Sequence, residues 1–516
     1  MSLLQLTIPA QNGDQASLKI KPREVKSWLD DLPFLDLQRA ARLTREQLRL
    51  MNRQRMPASQ RLAILGEFLG TYQRLEQARG TCQALGTQLK HLCQDIGFGY
   101  KIVIHDLVNK PSGFLEARNL PMALLGAIHI MGLQLLDCYA GYRRAPRALW
   151  SECLVLYRYA RQHGRNTWTG NLPGYGEQQL DSRFRLITLL RLADPYQLPP
   201  GMATALHNYL QQRIGLCEIH DAPPENRNTF QLCESYQPCS DDPGPHLYLE
   251  LDELLARMQE DALKLTRSRQ AQVVGLPAEV PAAALLRSLQ QTVMHWEQHP
   301  TRNAGREEIH ARIELVHGLE AVYCMVNQGR SFDPALFLAS DQDQHIDLGA
   351  HPESGYNVVQ APPVPLACSG INRSQGGLAL RYSAGHALPP RVGQLLAVHR
   401  PSRQSQSVWV VAVCRWLVQN EGEHGFELGL QYLVREPRAV VIRKLDSSGI
   451  PGAFQPAIAA TQKRGDQRVH TLIAHSGETR PGDLLTLYEH GRSQQVRCSE
   501  LLEAGPGFER FVYQAG

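Results

Sequence analysis

Near residue 300 the spacing of apolar residues changes from three-and-four to two, and that change limits what the chain can build. Before it, Leu62, Leu65, Phe68, Leu69, Tyr72 and Leu75 recur at helical steps, the stripe of one buried helix face. Leu124, Ile128, Met131 and Leu135 repeat the stripe, and Leu37, Ala41, Leu48 and Leu50 form a looser one. The same pattern predicts helices over 150–161, 182–192, 203–213, 249–265 and 282–298, with Pro57, Pro121 and Pro146 marking starts or breaks. No repeat period stands out, so a helical solenoid stays open but is not shown by the sequence. Residues 221–246, rich in Pro, Asn and Asp, read as an exposed loop.

After residue 300, Ile309, Ala311, Ile313 and Leu315 alternate with polar residues, His317-Gly318 offers a turn, and Leu319, Ala321, Tyr323 and Met325 alternate again. The expectation is strand, tight turn, strand. Alternation returns at Leu378–Tyr382, Val408–Trp416 and Phe426–Tyr432, which points to an all-β barrel or sandwich. A second, smaller β unit is expected around 469–474, 484–488 and 508–513. The fold class is therefore multidomain α+β: an all-α helical module over 1–298, a β-barrel over 299–436 carrying an insertion at 331–365, and a small β unit over 437–516.

Composition narrows the function classes. A hydrophobic fraction of 43% over 516 residues supports real cores and excludes wholesale disorder. A net charge of +4 is too small to point to nucleic acid by itself. The first residues carry no basic stretch ahead of an apolar run, and 119–136 is short for a span and holds His129 and Gln134. The expectation is a cytoplasmic chain without a membrane span. The 11 cysteines are irregularly spaced, which fits free thiols in a reducing compartment. Cys217, His220, Cys233 and Cys239 have the chemistry for zinc but the spacing of no common finger, so no metal is expected. No phosphate-binding Gly-rich loop, nucleophile elbow or H-E-x-x-H occurs; no catalytic residue, enzyme activity or cofactor is predicted.

Two short pieces around the first predicted strands carry more information. Arg302-Asn-Ala-Gly-Arg306 precedes the first strand, and Asn372-Arg-Ser374-Gln-Gly376-Gly377 precedes Leu378-Ala-Leu380. Two guanidinium forks can each hold a phosphate or the O6/N7 edge of guanine. Asn372 and Ser374 add short polar groups, and a glycine beyond them lets a ring approach the backbone. Each piece also has a plain reading: a solvated linker for the arginines, an Asx or Ser turn for the rest.

R-x-x-x-R followed by (D/N)-x-S-x-x-G on a small barrel resembles the PilZ domain, a bacterial receptor domain for cyclic di-GMP; the closing strand Phe426–Tyr432 is similar too. The resemblance covers residues 296–436, about a quarter of the chain. It implies that Arg302 and Arg306 grip phosphates and guanine edges, that Asn372, Ser374 and Gly377 complete the site with Gly376 beside them, and that the ligand is cyclic di-GMP. The gap from Arg306 to Asn372 is longer than the family's, and the 331–365 insertion accounts for it. The implied output is control of surface motility, type IV pili or adhesion through a protein partner held by the helical module.

Two rival readings use other residues. A scaffold would work through its helices alone, with a degenerate barrel. A nucleic-acid binder would use the basic-aromatic stretch Tyr142-Arg-Arg, Arg147, Trp150, Tyr157-Arg-Tyr159, Arg161, Arg165, Trp168, which reads equally as a solvated helix face or a dock for an acidic protein. Asp446-Ser-Ser448-Gly is a partial echo of the second motif piece, with Gly452 one place late: a degenerate second copy, or a turn.

Overall fold

A computed structural model describes residues 4–12, 21–82, 84–109, 118–225, 227–233, 246–298, 305–337, 363–383, 390–400, 408–419, 425–445, 450–464, 467–489 and 491–515. They fall into two compact units, one ending at Pro300 and one formed by Thr301–Gly516 with Tyr196–Pro200.

The first unit is helical: α1 (Pro22–Asp30), α2 (Leu37–Asn52), α3 (Ala58–Gln77), α4 (Leu85–Asn109), α5 (Leu120–Ala140), α6 (Arg147–Gln162), α7 (Leu180–Leu192), α8 (Met202–Gln211), α9 (Asp252–Ser268) and α10 (Ala282–Gln298). The stripe read on α3 is its buried face, and Asp36 caps α2 by accepting from Arg39 N at 3.0 Å. Helix α5 runs through the middle, with Leu124, Leu125, Ile128 and Ile130 fully buried. It packs on α4 so closely that a Cβ on Gly126 would meet the Tyr100 ring at 2.3 Å. Among the described residues α5 is the one helix long and apolar enough to cross a membrane; its burial marks it as the core helix of this unit.

The module is not all-α. Thr169–Leu172 (β1) and Gly176–Gln179 (β2) form a hairpin, and Glu218–His220 (β3), Thr229–Gln231 (β4) and Tyr248–Glu250 (β5) form a three-stranded sheet. The expected exposed loop at 221–246 thus contains a strand, and Leu232 and Cys233 at its end are buried. The expected helix from Leu249 starts later, because Tyr248–Glu250 pairs with both β3 and β4.

In the second unit, β6 (Glu307–Glu308), β7 (Arg312–His317), β8 (Leu366–Arg373), β9 (Gly377–Ser383), β10 (Leu395–Arg400), β11 (Val408–Gln419) and β12 (Gly425–Val434) form one sheet. Strands β7 to β12 close into a six-stranded barrel in the ring order β7-β8-β9-β12-β11-β10, with β6 added to β8. One expectation fails here. Leu319–Val326 is helix α11, not a strand: Leu319, Val322 and Tyr323 are buried at helical spacing, after Gly318 leaves the strand at φ 91°. Of the insertion at 331–365, only its two ends belong to the described residues.

The last strands, β13 (Arg438–Leu445), β14 (Pro451–Arg464), β15 (Gln467–Ala474), β16 (Leu484–Glu489), β17 (Arg492–Gly505) and β18 (Phe508–Ala515), close into a second barrel, β13-β14-β15-β18-β17-β16. Numbered within each barrel, the two ring orders are identical. The barrels also share a core. Leu395, Ala397, Val411 and Val413 pack with α11 and with Val441, Ile458, Ala460, Ile473 and Phe508. The alternate residues Leu396, Val398 and Ala412 are buried on the other face, while Val440, Ile442, Ala457, Ala459 and Leu472 fill the second barrel. Strands buried on both faces read as continuous apolar runs, which explains Leu395-Leu-Ala-Val398. Phe337 extends the contact, with its ring 5.5 Å from Phe454 and 6.2 Å from Tyr488.

Candidate functional site

Strand β6 is two residues long, and its pairing decides where the second arginine of the motif stands. Glu307 pairs with Arg373 and Glu308 with Asn372. The Arg373 guanidinium clamps that register, donating from Nε and Nη2 to the Glu307 carboxylate at 2.8 and 3.0 Å. Arg306 therefore stands one residue beyond the last rung, on the side of Ser374. Arg302 lies outside the described residues.

On β8 the register against β9 shifts between Gly370 and Asn372. Ile371 is the extra residue, and its carbonyl accepts from Ile309 N at 3.1 Å. Such a bulge bends the strand and re-aims the next side chain, here Asn372. The chain then reverses: Ser374 N donates to Gly377 O at 2.9 Å, and Tyr432 N of β12 donates to Gly376 O at 2.9 Å. Gly377 faces the β12 backbone with no room for a side chain, whereas a Cβ on Gly376 would meet nothing within 4 Å. The sequence motif thus places its final glycine where one is required, and Gly376 is free to vary.

Asn372 and Ser374 are half-buried, and neither side chain has a hydrogen-bond partner among the described residues. Arg306 is exposed and pairs with no carboxylate among them. Other arginines of this barrel are spent: Arg373 on Glu307, Arg381 on Glu427 at 2.9 Å, Arg415 on Glu503 at 2.7 Å. The turn therefore gathers an open guanidinium, an amide, a hydroxyl and a bare backbone, a set suited to a phosphate and the edge of a planar base. Sequence reasoning did not single out Glu307, Arg373, Tyr432 or Arg435. Arg373 stands inside the motif piece itself; the other three reach the turn only through strand pairing, and no local spacing signals them.

Other candidates dissolve into structure. Cys217 donates to Ile214 O, His220 Nε2 lies 3.0 Å from Glu250, and Cys239 is outside the described residues, among which no group of three metal-ligating side chains occurs. In the basic-aromatic stretch, Trp150 is buried and donates to Cys233 O at 2.9 Å, Tyr157 stacks on Phe184 and bonds Asp181, and Arg161 pairs with Asp221 at 2.8 Å. These three groups bind the helical unit together, while Arg144, Arg147 and Arg165 of the stretch are exposed. A groove of about 710 Å³ beside α1 and α3 has Arg74 stacked 3.6 Å over Phe34 and Lys26 shared by Asp30 and Glu67. The topological match also decides the Asp446 echo, whose residues 446–449 lie outside the described residues. It falls between β13 and β14, whereas the counterpart of the Asn372–Gly377 turn joins β14 to β15.

Both ends of the chain match models of one receptor family. Residues 23–225 match the model described as the N-terminal domain of the cyclic-di-GMP receptor FimW, and residues 440–515 match that of the FimW C-terminal β-barrel domain. The first segment lies in the helical unit, the second spans the second barrel, and the first barrel lies between them. Over 99% of its length, and 93% of the relative's, the chain is 20% identical to the cyclic-di-GMP receptor FimW of Pseudomonas aeruginosa.

Proposed function

We propose that this chain is a cyclic di-GMP receptor whose ligand sits on the first barrel, at the Asn372–Gly377 turn and the arginine segment that ends at Arg306. The observation that carries the reading is the β6–β8 pairing, which brings Arg306 to the turn with Asn372 and Ser374 unspent. The motif order of a PilZ-like barrel and the similarity to a named cyclic-di-GMP receptor support it. Arg302 and Arg306 would hold phosphate oxygens and a guanine edge, Asn372 and Ser374 would complete the polar contacts, and Gly377 would keep the turn seated against β12.

The protein transduces rather than catalyses. Phosphates bound at Arg302 and Arg306 would fasten the arginine segment to the barrel and so bias the arrangement presented to a partner. The helical unit holds that protein partner in the cytoplasm, and the output is motility, pilus or adhesion control. Each charge-assisted contact contributes roughly 1.5–3 kcal/mol. Titration calorimetry with cyclic di-GMP, with GTP as control, tests the reading on the native chain and on Arg302→Ala/Arg306→Ala. Micromolar or tighter binding, weakened about 100-fold or more in the double variant, is expected. A native chain that releases no heat would leave a nucleotide-independent scaffold.

A further inference from the structure

Strand β12 closes the barrel against β9, with Gln431 paired to Gly377 and Tyr432 N bonded to Gly376 O. One residue past the end of this strand, Arg435 reaches back to the turn. Its guanidinium lies over the Tyr432 ring, 5.6 Å from Cζ to centroid, and its Nη2 donates to the carbonyl of Gln375. The turn is thus flanked on one side by Arg306, delivered by β6, and on the other by Arg435, delivered by β12.

Arg435 differs from most of its basic neighbours in being unneutralised. Arg373, Arg381 and Arg415 each pair with a glutamate, but Arg435 is exposed and has no carboxylate partner among the described residues. A guanidinium has five N–H donors in a fixed fork. The Gln375 carbonyl occupies one nitrogen, the guanidinium lies over the Tyr432 ring, and the other donors have no carboxylate partner among the described residues. A charge held in place over an aromatic ring and left unpaired beside a polar turn has the form of an anion-binding group.

We infer that Arg435 is a further ligand-binding residue, contacting a phosphate of the dinucleotide from the side of the turn opposite Arg306. The inference rests on the receptor reading above and adds to it: two cations on opposite sides of one turn match a ligand with two phosphates.

The test uses the full chain and cyclic di-GMP at two salt concentrations, comparing the native protein with Arg306→Ala, Arg435→Ala, Arg435→Lys and Arg435→Gln. Arg435→Ala and Arg435→Gln are expected to raise the Kd at least tenfold and to flatten its salt dependence, while Arg435→Lys, which keeps the charge, loses less. Glutamine keeps a neutral donor, so if Arg435 merely held the Gln375 carbonyl, Arg435→Gln would bind better than Arg435→Ala and keep the native salt dependence. That result overturns the inference. Native affinity in Arg435→Ala and Arg435→Gln alongside loss in Arg306→Ala also overturns it and leaves the receptor reading standing. No binding by the native chain overturns both. Thermal unfolding of each variant without ligand separates lost contact from lost fold; if Arg435→Ala unfolds, the Lys and Gln variants decide.

Discussion

A Cβ placed on Gly377 would stand 2.1 Å from the carbonyl oxygen of Leu430, backbone that cannot step aside without breaking the β9–β12 ladder. Gly377→Ala is therefore expected to cost about 1–3 kcal/mol and to unseat the turn, whereas Gly376→Ala stays within about 0.5 kcal/mol of the native protein. Urea unfolding of both variants checks the difference. In the helical unit, His129 is buried on α5 against the edge of Tyr175, with ring centroids 4.3 Å apart. Burial, and to a lesser degree Arg183 and His207, push its pKa down to about 3. The folded value lies below the unfolded one, so the unfolded chain takes the proton first and stability falls as pH drops below about 6.5. The loss attributable to His129 approaches about 1.4 kcal/mol per pH unit down to about pH 3. Unfolding curves at pH 7.5 and 5.0 are expected to converge in His129→Gln relative to the native protein; an unchanged difference would assign the acid sensitivity elsewhere. At this scale Arg306, Asn372, Ser374 and Gly377 could be named as candidates from the sequence because they stand in two short motif pieces. Arg435 was not, because only strand pairing brings it to Gln375.

At the scale of elements, β6 acts as a clip. Two rungs and one bidentate ion pair hold it, and the pair is exposed, so its contribution to stability is below about 1 kcal/mol. Its effect on the site is larger than its energy, because it sets the position of Arg306. Glu307→Ala is expected to weaken ligand binding several-fold while leaving the unfolding midpoint nearly unchanged; binding equal to native would show that Arg306 finds the turn without the clip. Elements with a clean period were readable: α3 and α10 by their stripes, β9, β11 and β12 by alternation. Those apolar on both faces were not. In Leu319–Val326 every residue but Glu320 is apolar, so a period of two fits as well as one of 3.6, and burial decides for the helix. The run 395–398 hid β10 for the same reason, and α4 went unread, its first half polar and its residues 99–104 buried without a gap, so that no stripe shows.

Across the whole second unit, one strand order occurs twice and the two barrels share a core centred on α11. Ile458 is fully buried in that core, and Ile458→Ala is expected to cost about 2–5 kcal/mol and to be felt in both barrels. A single cooperative transition, shifted as a whole, is the expected calorimetric result; loss confined to one of two separate transitions would mean the barrels fold independently. The sequence showed a change from helices to strands and raised a degenerate second copy only through the Asp446 echo, because the second barrel keeps the ring order without the motif. The echo at Asp446 is in the wrong connection, and the equivalent turn begins after Lys463-Arg464.

The central claim is that one turn of the first barrel receives cyclic di-GMP. Hydrogen–deuterium exchange of the full chain, with and without the nucleotide, tests it most directly. The account predicts new protection at 302–309, at 372–377 and at 431–435. Protection confined to the second barrel or to the helical unit, with these three segments unchanged, would contradict it.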